Sequence, residues 1–248
     1  MSLKYQNDAD EAPLESEAET EAPASAAVRP PIPVLTVTLL ACIVAVMAAQ
    51  LYRGLEPSIL AAGFVKPDFI FRHEYWRILT GAAVHGSLLH LAMNGYALYS
   101  FGRLFEMLSS RAHLALVFLL SAVGGGALSL IMSPAGISVG ASGGIVGLIS
   151  YLAVYAFRRR QFISPEFRKN LLINIGFILV FGLVLYQTID NFGHIGGLIV
   201  GAVYGFIQIP SDEYVDPRKA NSTAEIFGLI ALGTYIAASL FSISLILR

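Results

Sequence analysis

Two side chains have the types that nucleophilic catalysis requires, and both lie in apolar sequence. Ser142 stands in the run Gly140-Ala141-Ser142-Gly143-Gly144 at the start of one apolar stretch, and His194 stands at the matching end of another. A serine hydroxyl becomes a nucleophile when an imidazole takes its proton. Ionisable groups are costly at bilayer depth, so their presence there points to function. A third apolar stretch carries His90 and Asn94, four residues apart and therefore on one side of a helix. Hydrogen-bond donors there, together with the Ser142 backbone N–H at the positive end of a helix dipole, suit a developing oxyanion. The set amounts to a nucleophile, a base and an anion clamp.

Composition defines the elements that must hold these groups. The chain has 248 residues, 56% hydrophobic and 13% charged, with a mean hydropathy of +0.68. That is too apolar for an ordinary soluble domain and reads as an integral membrane protein. The net charge of −1 implies no nucleic-acid partner. Cys42 is the single cysteine, so no intramolecular disulfide forms. Residues 1–30 are rich in Glu, Ala, Pro and Ser and read as a disordered acidic tail. Their acidity is unlike a secretory signal, so the first apolar helix is expected to remain as an anchor.

Seven apolar segments are long enough to cross all or most of a bilayer core: 34–51, 86–105, 112–132, 140–157, 171–188, 193–209 and 225–247. The expected fold is an all-α, polytopic transmembrane helical bundle. Residues 31–210 form a six-helix core, and 211–248 form a connection with an additional C-terminal helix. Arg158, Arg159, Arg160, Arg168 and Lys169 cluster in one connection against the single acid Glu166, and Arg103 and Arg111 sit near another. By the positive-inside rule both connections are cytoplasmic, which puts the N-terminus inside and Arg248 outside. The run 158–160 then reads as a topological anchor. The first connection, 52–85, opposes this bias with Arg53, Lys66, Arg72 and Arg77. Its aromatic, Pro and Gly content suggests a structured piece lying at the membrane interface.

In this topology Ser142, His194 and His90 each lie sixteen residues from the cytoplasmic end of their span, Glu106 marking that end for His90. At 1.5 Å per residue that is about 24 Å, so the three share one layer beneath the outer surface. His194, Gly197, Gly201 and Gly205 share one helix face, and Gly143 with Gly147 forms a small-xxx-small pair. If these faces meet, Ser142 and His194 come within the roughly 2.6–3.2 Å that proton transfer needs.

Rival readings are weaker. A soluble nucleophile elbow needs a strand before the serine, for which the hydropathy leaves no room. Asp190, four residues before His194, reads as the cap of its helix, which favours a dyad over a triad. The histidines 73, 85, 90, 113 and 194 include no H-E-x-x-H, since Tyr75-Trp76-Arg77 follows His73-Glu74, so no metal site is expected. His85 lies about 140° around the helix from His90 and reads as a structural hydrogen-bonder. A transporter would need polar residues through both leaflets, whereas this polar layer lies on the outer side only.

Together these residues resemble the rhomboid family of intramembrane serine proteases. The resemblance rests on Trp76-Arg77, the series His85, His90 and Asn94, the element Gly140-Ala141-Ser142-Gly143, and His194 followed by Gly197 and Gly201. It implies Ser142 as nucleophile, His194 as general base, and an oxyanion site from His90, Asn94 and the Ser142 backbone. It implies single-pass transmembrane substrates cut near their outer end, no metal or organic cofactor, and a six-plus-one helix arrangement. Gly193 stands where the family often has alanine, and Val146 where it often has an aromatic ring against the histidine. The alternative is a non-catalytic relative that binds and routes transmembrane clients. Small size and short loops suggest a bacterial cytoplasmic membrane.

Overall fold

Helix starts are written locally as capping residues. In the computed structural model, which describes residues 32–185, 189–212 and 214–248, Ser87, Ser110, Ser164, Asp190 and Asn221 each accept a first-turn N–H. They open α5 (Leu88–Leu108), α6 (Arg111–Met132), α8 (Pro165–Val184), α9 (Asn191–Gln208) and α10 (Ser222–Leu247). Such caps satisfy donors that have no partner within the helix. α1 (Val34–Arg53) and α7 (Ser142–Arg158) lack a side-chain cap among the described residues. The acidic tail 1–30, and residues 186–188 of the fifth apolar segment, lie outside the described residues.

The connection after α1 contains the short helices α2 (Leu55–Ala62), α3 (Lys66–Phe71) and α4 (Arg77–Thr80). Between α2 and α3, β1 (Phe64–Val65) pairs antiparallel with β2 (Ile137–Ser138), the strand just ahead of the Ser142 loop. Arg77 organises this connection. Its guanidinium donates to the carbonyls of Leu60 at 3.0 Å and Gly63 at 2.8 Å, and bonds Glu74 and Asp68. Arg77 and Lys66 are only 5% and 2% exposed. Two of the cations that oppose the charge bias are therefore spent inside the fold.

Residues Pro33–Arg248 pack as one unit in which α6, α7 and α9 form the centre, α5 lies against α1 and α7, and α10 against α6 and α1. α8 is peripheral, with only Leu171 and Gly182 buried. The central contact is backbone on backbone. A Cβ on Gly197 would meet the Gly143 carbonyl oxygen, and one on Gly201 would meet the Gly147 carbonyl oxygen. In lipid, where apolar side chains gain little by leaving solvent, such close approach is what holds two helices together.

Four helices, α1, α6, α8 and α10, are long and apolar enough to cross a membrane by length and composition. α5, α7 and α9 fall short of that measure, and these three carry Asn94, Ser142 and His194. Part of the arginine run is also bonded within the fold. Arg158 donates to the Ile209 carbonyl, and Arg159, 2% exposed, donates to the carbonyls of Pro210 and Val215. Both fasten the chain that follows α9, whose last carbonyls have no partner within the helix.

Replacing Gly201 by valine forces α7 and α9 apart. The expected cost is about 1–3 kcal/mol, seen as a lowered melting temperature in detergent. Gly233→Ala, where no atom lies within 4 Å of the added methyl, is expected to leave the melt unchanged or raise it.

Candidate active site

Ser142 is the first residue of α7, and the chain reaches it through Gly140 at φ +117°. That conformation is one L side chains rarely adopt. A Cβ on Gly140 would also lie 2.7 Å from His90 Cε1 and 3.3 Å from Asn94 Nδ2. The loop therefore runs hard against the ring and the amide presented by α5. Ser87 fixes the start of α5 by accepting the His90 N–H at 3.1 Å. Asn94 is 6% exposed, and its buried Nδ2 has no hydrogen-bond partner among the described residues. An unsatisfied amide in such a place costs free energy unless a ligand supplies an acceptor.

His194 occupies the second turn of α9 and is 9% exposed, with Nδ1 buried and unpartnered among the described residues. Its neighbour Gly193 faces the residue after Ser142, since a Cβ on Gly143 would lie 3.5 Å from the Gly193 carbonyl oxygen. The two helices thus bring the serine and histidine turns together. Among the described residues the Ser142 hydroxyl and the His194 ring form no hydrogen bond. Val146 is 2% exposed, a buried aliphatic side chain in the centre of the bundle.

A cavity of about 50 Å³ opens beside Ser142, lined in part by Phe64, Ile78, Ala122, Ser138 and Asp190. His85 is fully buried. Gln50 of α1 donates to the His85 carbonyl at 2.8 Å and accepts the His85 N–H at 3.0 Å, and the His85 ring lies edge-on to His90 at 5.1 Å. His113 lies elsewhere, with Nδ1 2.8 Å from the Tyr204 hydroxyl, and His73 pairs with Tyr75 on the surface.

Asp190 caps α9 through the Gly193 N–H at 2.9 Å and also accepts from the hydroxyls of Ser129 and Ser138. This carboxylate forms no hydrogen bond or ion pair with the His194 ring among the described residues. Sequence reasoning missed Ser129, Ser138 and Lys66. The one signal was a lysine in a connection where the charge bias disfavours it.

The segment 72–211, which holds every residue just placed from His73 to Tyr204, matches the family model of the Rhomboid domain. The chain belongs to the rhomboid family. It is 35% identical over 144 residues to rhomboid protease GluP of Bacillus subtilis (strain 168), covering 58% of this chain and 28% of that protein. It is 34% identical over 139 residues to RHOMBOID-like protein 6, mitochondrial, of Arabidopsis thaliana, covering 55% and 45%. Rhomboid-like protease 3 of Toxoplasma gondii is 29% identical over 174 residues, covering 68% and 66%. The chain thus spans less than half of the length of the first two relatives. Family and apolar helices together make it a multi-pass membrane protein.

Burial alone would raise the Asp190 carboxyl, which sits in the connection ahead of α9. Hydrogen bonds from Ser129, Ser138 and the Gly193 N–H, with the Lys66 ammonium nearby, hold it below the ordinary 3.8. A carboxyl lowered by folding stabilises the fold above its unfolded value, and that stability is lost as pH falls through the folded value. Wild type is therefore expected to melt higher than Asp190→Asn at neutral pH. The gap should close only at pH values below 3.8, as read by thermal melts across an acid series.

Proposed function

We propose that this chain is an intramembrane serine endopeptidase that cuts transmembrane helices of single-pass membrane proteins near one end. The observation that carries the reading is that the Asn94 amide, which lies against the loop leading into Ser142, and the His194 imidazole, on the helix packed against α7, are two of six side chains with a buried, unpartnered polar atom among the described residues. Structural polar groups in a bundle are normally satisfied. Two that are left open on helices packed around a serine at an uncapped helix start suit a substrate that completes them.

In the proposed reaction the Ser142 Oγ attacks a peptide carbonyl carbon and its proton passes to His194. The oxygen that becomes negative is held by Asn94 Nδ2, the His90 ring and the Ser142 N–H, where the dipole of α7 adds its positive end. The C–N bond breaks as His194 returns the proton to the leaving amine, leaving an acyl-enzyme. Water then attacks the ester with His194 again as base, releasing the acid and restoring the hydroxyl. The serine and histidine need only approach on substrate binding, as catalytic hydrogen bonds often tighten in the loaded state. Asp190 is occupied elsewhere, which supports a dyad. No step calls for a metal or organic cofactor.

The charge distribution favours placing the N-terminus and the arginine-rich connection in the cytoplasm and the Ser142 end outside. A bacterial cytoplasmic membrane remains the proposed location. Val146, where an aromatic ring is usual in the family, is the feature that favours the second reading of a non-catalytic client-binding relative.

Purified Ser142→Ala and His194→Ala are expected to lose all cleavage of a model single-pass substrate in liposomes. Asn94→Ala should lower kcat by about 10²-fold to 10³-fold, as for other oxyanion donors. Native-rate cleavage by Ser142→Ala rejects the assignment. A fluorophosphonate should label wild type and not Ser142→Ala, and failure to label wild type favours the client-binding reading.

A further inference from the structure

One cluster that the proposed chemistry leaves idle converges on Asp190, which lines the same cavity as Ser142. Its Oδ2 accepts the Ser129 hydroxyl from α6 and the Ser138 hydroxyl from β2, both at 2.5 Å, and its Oδ1 accepts the Gly193 N–H at 2.9 Å. The Ser129 oxygen in turn accepts from Lys66 Nζ at 2.7 Å. Lys66 begins α3, and the other charge on that helix, Asp68, is engaged by Arg72 and Arg77. A lysine at 2.7 Å from a serine is also the geometry of a Ser–Lys hydrolase. Ser129 is fully buried and gives its hydrogen to Asp190, so no substrate carbonyl reaches it and that chemistry is excluded.

The connectivity gives the cluster its use. Ser138 precedes Ser142 by four residues, and Asp190 precedes His194 by four. One carboxylate therefore ties the strand leading into the serine loop to the first turn of the helix that carries the histidine. A partly buried carboxylate holding this junction gains from a compensating charge, which Lys66 supplies through Ser129. Lys66 lies outside the segment 72–211 that matches the family.

We propose that Asp190, compensated by Lys66, is a positioning residue that sets the distance between Ser142 and His194. The proposal rests on the serine-protease reading, since it assigns the tether to that reaction. Neither side chain touches the reacting atoms. Both act by holding two segments in register.

The test uses the full chain in liposomes as wild type, Lys66→Arg, Lys66→Met, Asp190→Asn and the Lys66→Met/Asp190→Asn double variant. Two readouts are taken: amide hydrogen exchange at residues 136–145 and 189–197, and kcat with KM on a model single-pass substrate. In Lys66→Met and Asp190→Asn, exchange is expected to quicken at both segments, and kcat to fall about 10-fold to 100-fold with KM nearly unchanged. Lys66→Arg should keep most of the wild-type rate. The double variant leaves neither charge unpaired and should be no worse than the poorer single, since coupled residues are not additive. If a single variant fails to fold, a folded double variant with protected segments still supports the pairing. Unchanged exchange in Lys66→Met, or single losses that add in the double variant, overturns the proposal. Cleavage by wild type with uncoupled exchange rejects the tether and keeps the protease reading. Coupled exchange with no cleavage by wild type rejects the protease reading and keeps the tether.

Discussion

The contact of the α7 and α9 backbones is the constraint on which the rest of the molecule depends. Gly143 and Gly147 on one side and Gly197 and Gly201 on the other let carbonyl oxygens of α7 lie against the α9 main chain. Ser142, one residue before Gly143, and His194, three residues before Gly197, are then carried to its open end. α6 completes the seam, since a Cβ on Gly125 would strike the Gly193 carbonyl and one on Gly147 would strike Ser121. Removing side chains from a seam gives up packing area, and the gain is positional accuracy between two helices.

Polar groups tell a second part of the story. Arg77, Gln50 and Asp190 are buried or partly buried, and each has its hydrogen bonds made within the fold. Asn94 Nδ2 and His194 Nδ1 do not among the described residues. Thr80 Oγ1, His85 Nε2, Ser121 Oγ and Asn191 Oδ1 are open as well, so Asn94 and His194 are informative through their residue types and their place around the serine loop. The same economy appears in hydropathy, because the helices that carry these residues are the ones too polar or too short to count among the four most membrane-like.

Much of the fold was legible because long helices in this chain are rich in apolar residues, although among the described residues only four are long and apolar enough to cross a membrane. The seven apolar segments correspond to seven long helices, with ends shifted by a few residues and the fifth running past the described region. Periodicity also placed Gly197, Gly201 and Gly205 on one face, because a helix repeats every 3.6 residues. What periodicity cannot encode is which distant segments touch. The pairing of β1 with β2 joins residues more than seventy apart in the chain. The convergence of Ser129, Ser138 and Lys66 on Asp190 has the same origin. Lys66 and Arg77 looked like violations of the charge rule because a sequence cannot say that a cation is already buried and bonded. The proposed roles of Ser142, His194, His90 and Asn94 came from residue chemistry and resemblance, and the geometry adds the unsatisfied atoms around them.

The fastening of Arg158 and Arg159 to main-chain carbonyls beyond α9 divides one basic cluster into two physical populations. Arg160 and Lys169 stay exposed, while Arg168 donates to the Arg160 carbonyl within the connection itself. The first two guanidiniums are tied to the main chain once the helices assemble. Orientation in the bilayer is decided while the nascent segments are still separate, so the same pair can serve insertion early and architecture late. Neutralising the pair in a finished bundle would then register as a loosened junction rather than as an inverted protein.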